Sequence, residues 1–144
     1  MKPIATDAPD GDSEPVIAVH RLRLGHGDAH YGGGLVAGGR LMELLGDVAT
    51  ELCIASDGDE GLLAAYDSVN FLLPAHAGDF LEVRGRIVRT GRSSRAMELE
   101  VLRYARALPH VSESAAELLA EPESVLNARC TCVVPTDKQR GGTP

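Results

Sequence analysis

The chain has 144 residues, 44% of them hydrophobic, enough for one folded domain with a real core and too few for two. A net charge of −7 argues against non-specific nucleic-acid binding, which relies on basic surface to neutralise phosphates. No apolar run approaches the roughly 20 residues of a membrane span, and the acidic start MKPIATDAPDGDSEP lacks the apolar core of a secretory signal, so a soluble cytoplasmic protein is expected, with no membrane or nucleic-acid partner.

Residues 1–13, rich in Asp, Pro and Gly, and residues 136–144 are expected as disordered tails flanking one domain at 14–135. Residues 16–24 (VIAVHRLRL) alternate, with Val16, Ala18, His20, Leu22 and Leu24 on one side and Ile17, Val19, Arg21 and Arg23 on the other, which predicts a half-buried strand. A glycine-rich loop then feeds a long helix. Leu41, Met42, Leu45, Val48, Ala49, Leu52 and Cys53 keep the helical spacing of an apolar face, opposite Arg40, Glu43, Asp47, Thr50 and Glu51, and the DGDEG run at 57–61 ends it.

Residues 62–73 read as a strand stopped by Pro74. Residues 79–89 and 94–104 predict a hairpin around Thr90-Gly91-Arg92-Ser93. Leu81, Val83, Gly85 and Ile87 point inward opposite Met97, Leu99 and Val101, and Arg84 and Arg86 lie across from Glu100 and Glu98. Residues 114–120 predict a short helix, since Ser114 and Glu117 have capping-box spacing and Pro122 closes it. A last strand follows at 124–134. Within it Cys130 and Cys132 share a face and, like Cys53, are expected as small core residues; no second ligand pair accompanies them, so no metal site is expected. One strand, one long helix and then mostly antiparallel strands predict an α+β fold of the hotdog type, a curved antiparallel sheet of about five strands wrapped around one long central helix. A single helix cannot cover both face and edge, which predicts a homodimer or a dimer-based higher oligomer.

The chemistry concentrates in residues 28–53, DAHYGGGLVAGGRLMELLGDVATELC. Backbone N–H groups of Gly32, Gly33 and Gly34, expected at the positive end of the helix, suit an anion or a developing oxyanion. Asp47 and Glu51, four residues apart on one helix face, suit acid–base chemistry or the seating of a cation, although a solvated helix face or an Arg40–Glu43–Asp47 charge ladder would use the same residues. His30 can orient a substrate or shuttle a proton and Tyr31 can donate a hydrogen bond; His20, His26, His76 and His110 show no constellation.

The strings DAHYGG, GDVATELC, DGDEGL, YDSVNFLLP, AGDFLEVRGRIV and CTCVVP resemble the 3-aminobutyryl-CoA and β-alanyl-CoA ammonia-lyases of amino-acid fermentation, within the hotdog acyl-CoA thioesterase superfamily, from about His26 to Pro135. Gly39, Ala96 and Cys130 depart from the expected Ala, Lys and Gly. The resemblance implies reversible elimination of ammonia from a 3-aminoacyl-CoA to an enoyl-CoA, with no cofactor beyond the coenzyme A of the substrate. Gly32, Gly33 and Gly34 would then hold the thioester oxygen, and Asp47 and Glu51 would serve the ammonium and the proton transfer. Coenzyme A brings phosphates, for which Arg92, Ser93 and Ser94 of the hairpin turn are the candidates. An acyl-CoA thioesterase and a non-catalytic acyl-CoA-binding domain are the competing readings.

Overall fold

The structure, a computed structural model, describes residues 15–140. Five strands, β1 (Ile17–Arg23), β2 (Leu62–Phe71), β3 (Phe80–Thr90), β4 (Ser94–Ala107) and β5 (Ala116–Val133), form one antiparallel sheet in the order β1-β3-β4-β5-β2. The single long helix α1 (Gly38–Asp57) packs on one face of it, touching β1, β2, β3 and β4. This is the expected hotdog arrangement. No helix among the described residues is long and apolar enough to cross a membrane.

The apolar stripe of α1 supplies the centre of the core. Leu41, Leu44, Leu45, Val48, Ala49, Leu52 and Cys53 are buried, with Leu44 added to the expected set and Met42 only half-buried. Of the strand positions that alternation selected, Leu81, Val83 and Gly85 from β3, Met97, Leu99 and Val101 from β4 and Cys130 and Cys132 from β5 are buried while Ile87 is half-buried, and Ala128 of β5 joins them. Gly85 sits where helix and sheet come closest. A Cβ there would lie 2.6 Å from Leu99 Cδ2 and 2.7 Å from Val48 Cγ1. The hairpin register is the expected one, with Arg84 opposite Glu100 and Arg86 opposite Glu98.

Buried arginines anchor both ends of the helix layer. At its C-terminus Gly58 takes a left-handed cap and donates to Ile54 O at 2.8 Å. An acidic residue is unfavourable at this negative end of a helix dipole, and Asp57 is held there by Arg95, which donates Nε at 2.9 Å and Nη2 at 2.8 Å. Arg95 Nη1 also reaches Gly91 O and Ser94 O, tying the helix end to the β3–β4 turn. At the other end Arg103 on β4 donates to Pro74 O at 2.8 Å, Asp79 at 3.0 Å and Glu123 at 3.3 Å, fixing the segment between β2 and β3.

Three boundaries differ from expectation. Residues 114–120 are not helical: β5 already begins at Ala116, and Ala116, Glu117 and Leu118 pair with Ala107, Arg106 and Ala105 of β4. Local capping chemistry is worth about 1 kcal/mol, less than a continued ladder. Glu117 accepts from Arg106 Nε across the strands at 2.8 Å instead of closing a capping box, and Pro122 falls in the register break between Arg103 and Ala105, where no ladder donor is needed. β2 stops at Phe71, two residues early, because the amides of Leu72 and Leu73 both turn to Val125 O. The domain also runs past Pro135. Thr136–Lys138 form a helical turn, Gln139 Nε2 donates to Arg92 O and Val134 O, and Arg140 N–H donates to Asp57 O at 2.8 Å, so 136–140 is structured rather than part of a tail. The tail expected at 1–13, and residues 141–144, lie outside the described residues.

Replacing Gly85 with Ala forces the helix off the sheet and should cost about 1–3 kcal/mol in chemical denaturation. Asp57→Asn strands the buried Arg95 charge and should cost about 3 kcal/mol or more. Arg95 holds the Asp57 carboxyl below the usual carboxylate range. Its contribution is therefore present above about pH 4 and lost as pH falls below that, so the wild-type Tm should drop on acidification there and that of the Asn variant should drop less.

Candidate active site

The loop before α1 is held by Asp28. Its Oδ2 accepts from Gly25 N–H at 2.8 Å and its Oδ1 from Arg40 Nε at 2.8 Å, so one carboxylate joins the loop to the first turn of α1. The Gly25 hydrogen bond, and after it Arg40, hold the Asp28 carboxyl below its ordinary range. His30 and Tyr31 both donate their amides to Leu35 O, and their rings meet edge-to-face at 4.7 Å. Both are exposed.

Gly32–Gly34 form a separate tight turn in which Gly33 (φ 72°) and Gly34 (φ 76°) are left-handed, a conformation that suits glycine. This corrects the expectation that these glycines open the helix. Leu35 and Val36 bridge to the 75–77 segment before α1 starts, with Val36 N–H on Ala75 O at 2.9 Å and Ala77 N–H on Gly34 O at 2.8 Å. The helix N-cap is Ala37, which offers no side-chain cap, so the amides of Gly38 and Gly39 are the donors at the positive end of α1. Beside them lies a mainly apolar cleft of about 330 Å³, lined by Tyr31, Leu35, Gly38, Leu41, Phe71 and Leu73 among others.

Asp47 and Glu51 do share a face of α1, and within one chain that face is open to solvent. A single chain covers the helix on its sheet side only. Asp47 makes no side-chain hydrogen bond or ion pair with any described residue, so it is not part of a charge ladder; Arg40 pairs with Asp28 and, at 3.6 Å, with Glu43. Glu51 Oε1 lies 3.0 Å from His20 Nε2 on β1. Sequence reasoning left His20 without a role, although the signal was there: it is the polar residue on the apolar side of the first strand.

Arg92, Ser93 and Ser94 lie in the β3–β4 turn, next to the C-terminus of α1. Their carbonyls serve the fold: Arg92 O accepts from Gln139, Ser93 O from Val134 N–H and Ser94 O from Gly91 N–H. A helix of 20 residues spans about 30 Å, so within one chain this turn and the glycine loop stand at opposite ends of the helix. The structure brings Glu51 and His20 together, with Asp47 one turn away on the same helix face, and separately groups Tyr31 with the helix N-terminus; it does not join either group to the hairpin turn. Cys53, Cys130 and Cys132 are free and buried, and the Cys132 thiol, bonded by Cys130 and desolvated, is pushed up to about 12, which makes it an inert core group. Among the described residues no three His, Cys, Asp or Glu are placed to hold a metal ion.

Residues 33–109 match the thioesterase superfamily, so the five-stranded sheet around one helix with an acidic outer face is a hotdog domain of that class. A 3-aminobutyryl-CoA ammonia lyase of Acetoanaerobium sticklandii is 50% identical over 123 residues, 85% of this chain and 98% of that protein. The β-alanyl-CoA:ammonia lyase from Clostridium propionicum superimposes with a TM-score of 0.86 at 32% identity, covering 89% of this chain and 91% of that one. A hexameric hotdog thioesterase of Campylobacter jejuni shares the fold, with a TM-score of 0.68 at 20% identity over 86% of this chain and 88% of that one. The chain belongs to the hotdog family of CoA-thioester ammonia lyases.

Asp28→Ala removes two hydrogen bonds from the loop and should lower stability by about 1–3 kcal/mol, read as a lower Tm and faster proteolytic cleavage near Tyr31. Because the folded-state pKa of Asp28 is depressed, the wild-type loop should keep its protection above about pH 4 and lose it below.

Proposed function

We propose that this protein reversibly eliminates ammonia from a 3-aminoacyl-CoA, 3-aminobutyryl-CoA or β-alanyl-CoA, to give the enoyl-CoA. The observation that carries this reading is 50% identity to a named ammonia lyase across nearly that protein's whole length, joined to a helix face on which Asp47, unpaired with any described residue, stands one turn from Glu51.

The substrate carries an ammonium on Cβ and a weakly acidic hydrogen on Cα. One carboxylate attracts the ammonium and the other takes the proton. The Cα–H electron pair becomes the Cα=Cβ π bond, the Cβ–N pair leaves with nitrogen as NH3, and the abstracted proton passes to ammonia or solvent. Nine residues from Gly38 to Asp47 put roughly 13 Å between the helix end and that carboxylate in one chain, so charge that builds on the thioester oxygen is stabilised by backbone N–H donors of a second copy, those of its Gly38 and Gly39 or of its Gly32, Gly33 and Gly34; one such donor is typically worth roughly 10²–10³ in rate. His30 and Tyr31 flank this end of the site. Arg92, Ser93 and Ser94 remain the candidates for the coenzyme A phosphates. No cofactor is needed beyond the coenzyme A that the substrate brings, and the working compartment is the cytoplasm.

The working unit is at least a homodimer. β2 is a sheet edge that leaves Leu62, Leu63 and Phe71 exposed, with Leu72 and Leu73 just beyond it, and such an apolar edge favours pairing with another strand. A second copy supplies that strand, and with it a route by which the hairpin turn of one chain approaches the glycine loop of the other.

Incubation with 3-aminobutyryl-CoA and β-alanyl-CoA should produce enoyl-thioester absorbance without free thiol. Thiol release without enoyl product would make the protein a thioesterase, and neither signal would make it a binding module. Asp47→Asn and Glu51→Gln should each lower kcat/KM by roughly 10² or more; wild-type rates in both would remove them from the site.

A further inference from the structure

The two carboxylates look interchangeable along the helix, and one contact makes them different. Glu51 Oε1 is 3.0 Å from His20 Nε2, whereas Asp47, one turn earlier on the same face, makes no side-chain hydrogen bond or ion pair with any described residue. We infer that His20 is a positioning residue that donates its Nε2–H to Glu51, fixes that carboxylate as the seat of the substrate ammonium, and so leaves Asp47 as the group that takes the Cα proton. This rests on the lyase reading above.

The choice of partner is informative. Among the described residues every other ion-paired carboxylate is matched by an arginine: Asp28 and Glu43 by Arg40, Asp57 by Arg95, Asp79 and Glu123 by Arg103, Glu82 by Arg21 and Arg84, Glu98 by Arg86 and Arg129, Glu117 by Arg106, and Glu100 by Arg84. An arginine at Glu51 would cancel its charge permanently. An imidazole hydrogen-bonds one oxygen through Nε2–H and immobilises the side chain with a single donor, and the second oxygen stays free to receive a cation. A carboxylate that must attract an ammonium needs that arrangement; one that only pins a strand to a helix would be served as well by arginine.

The position is informative too. His20 lies on the inward side of β1 with Ala18, Leu22 and Leu24, and it is paired in register with Val83 of β3. A polar ring on that side is unfavourable without a partner. The charged neighbours Glu82 and Arg84 alternate to the other face of the sheet, where they bind each other, and Arg21 joins them there. The acidic groups that His20 meets on the helix side are therefore Glu51 by contact and Asp47 one turn away. Among the described residues β1 is an edge strand bonded only to β3, so the ring reaches α1 without another strand between them.

The decisive comparison is between ligands with and without the ammonium. Affinities for 3-aminobutyryl-CoA and for butyryl-CoA are measured by calorimetry in an Asp47→Asn background, where turnover is suppressed, with and without His20→Leu, His20→Gln and Glu51→Gln. His20→Leu should weaken 3-aminobutyryl-CoA roughly tenfold or more and leave butyryl-CoA within about twofold. His20→Gln, whose amide nitrogen reproduces the Nε2 donor, should restore most of the loss. In the Glu51→Gln background His20→Leu should have little further effect. With Asp47 intact, His20→Leu should raise KM more than it lowers kcat. Equal loss for both ligands, no rescue by Gln, or full additivity with Glu51→Gln would overturn the proposal and leave His20 as a strand–helix staple. Absence of enoyl product from the wild-type protein would instead refute the lyase reading, and the binding comparison would still decide the role of His20.

Discussion

The contact on which the rest of the structure depends is the approach of α1 to the sheet at Gly85. Val48 and Leu52 press onto a strand position with no side chain, and Leu99 fills the space beside it. A helix that close to the sheet has no rotational freedom: burying Leu41, Leu45, Val48 and Leu52 on one side turns Asp47 and Glu51 outward on the other. Asp28–Arg40 at one end and Asp57–Arg95 at the other then fix where along the sheet the helix sits. The orientation of the acidic pair is thus a consequence of core packing, with no separate device to aim it.

The same core logic explains where the positive charge goes. Arg84, Arg86, Arg89, Arg92 and Arg95 form a basic cluster around the hairpin in the sequence. In the structure Arg95 is buried against Asp57, Arg84 bonds Glu82, and Arg86 bonds Glu98, which Arg129 also reaches. The buried Arg95–Asp57 pair is weak evidence for added stability but costly to break on one side only, and Arg84 and Arg86, half-buried, are taken up by their own carboxylates. Of that cluster Arg89 and Arg92 stay exposed. In a chain with net charge −7 that commits so many arginines to structure, no described cation pairs with Asp47, and an open carboxylate is what a cationic substrate requires.

Period and pairing were legible in the sequence because both are local. The alternation of 79–89 and 94–104 set which residues face the helix, and the cross-strand charges Arg84–Glu100 and Arg86–Glu98 set the register that the hairpin has. What failed was whatever a distant element decides. Residues 114–120 carry a good local cap, but the far end of β4 offers them a ladder. The glycines at 32–34 look like a helix start, but a bridge to residues 75–77 inserts a turn before it. Residues 136–140 look like a tail until Asp57 O and Arg92 O accept from them. Glu51 looks like the equal of Asp47 until a strand 31 residues earlier places His20 against it.

The exposure of the acidic face in one chain bears directly on how the site works. Electrostatic attraction between a carboxylate and an ammonium is weak in water and grows as water is excluded, and an α-proton next to a thioester is acidic enough to remove only where the oxygen charge meets fixed donors. One copy of this domain meets neither requirement fully: Asp47 and Glu51 face solvent, and the helix-end amides stand roughly 13 Å from Asp47 along the helix. The open β2 edge, with Leu62, Leu63 and Phe71 exposed along it, is the surface at which a second copy adds both apolar cover and backbone pairing. The tightly packed interior and the unfinished exterior are then two halves of one design, in which the core presents the carboxylates and assembly supplies the dry surroundings that give them their chemistry.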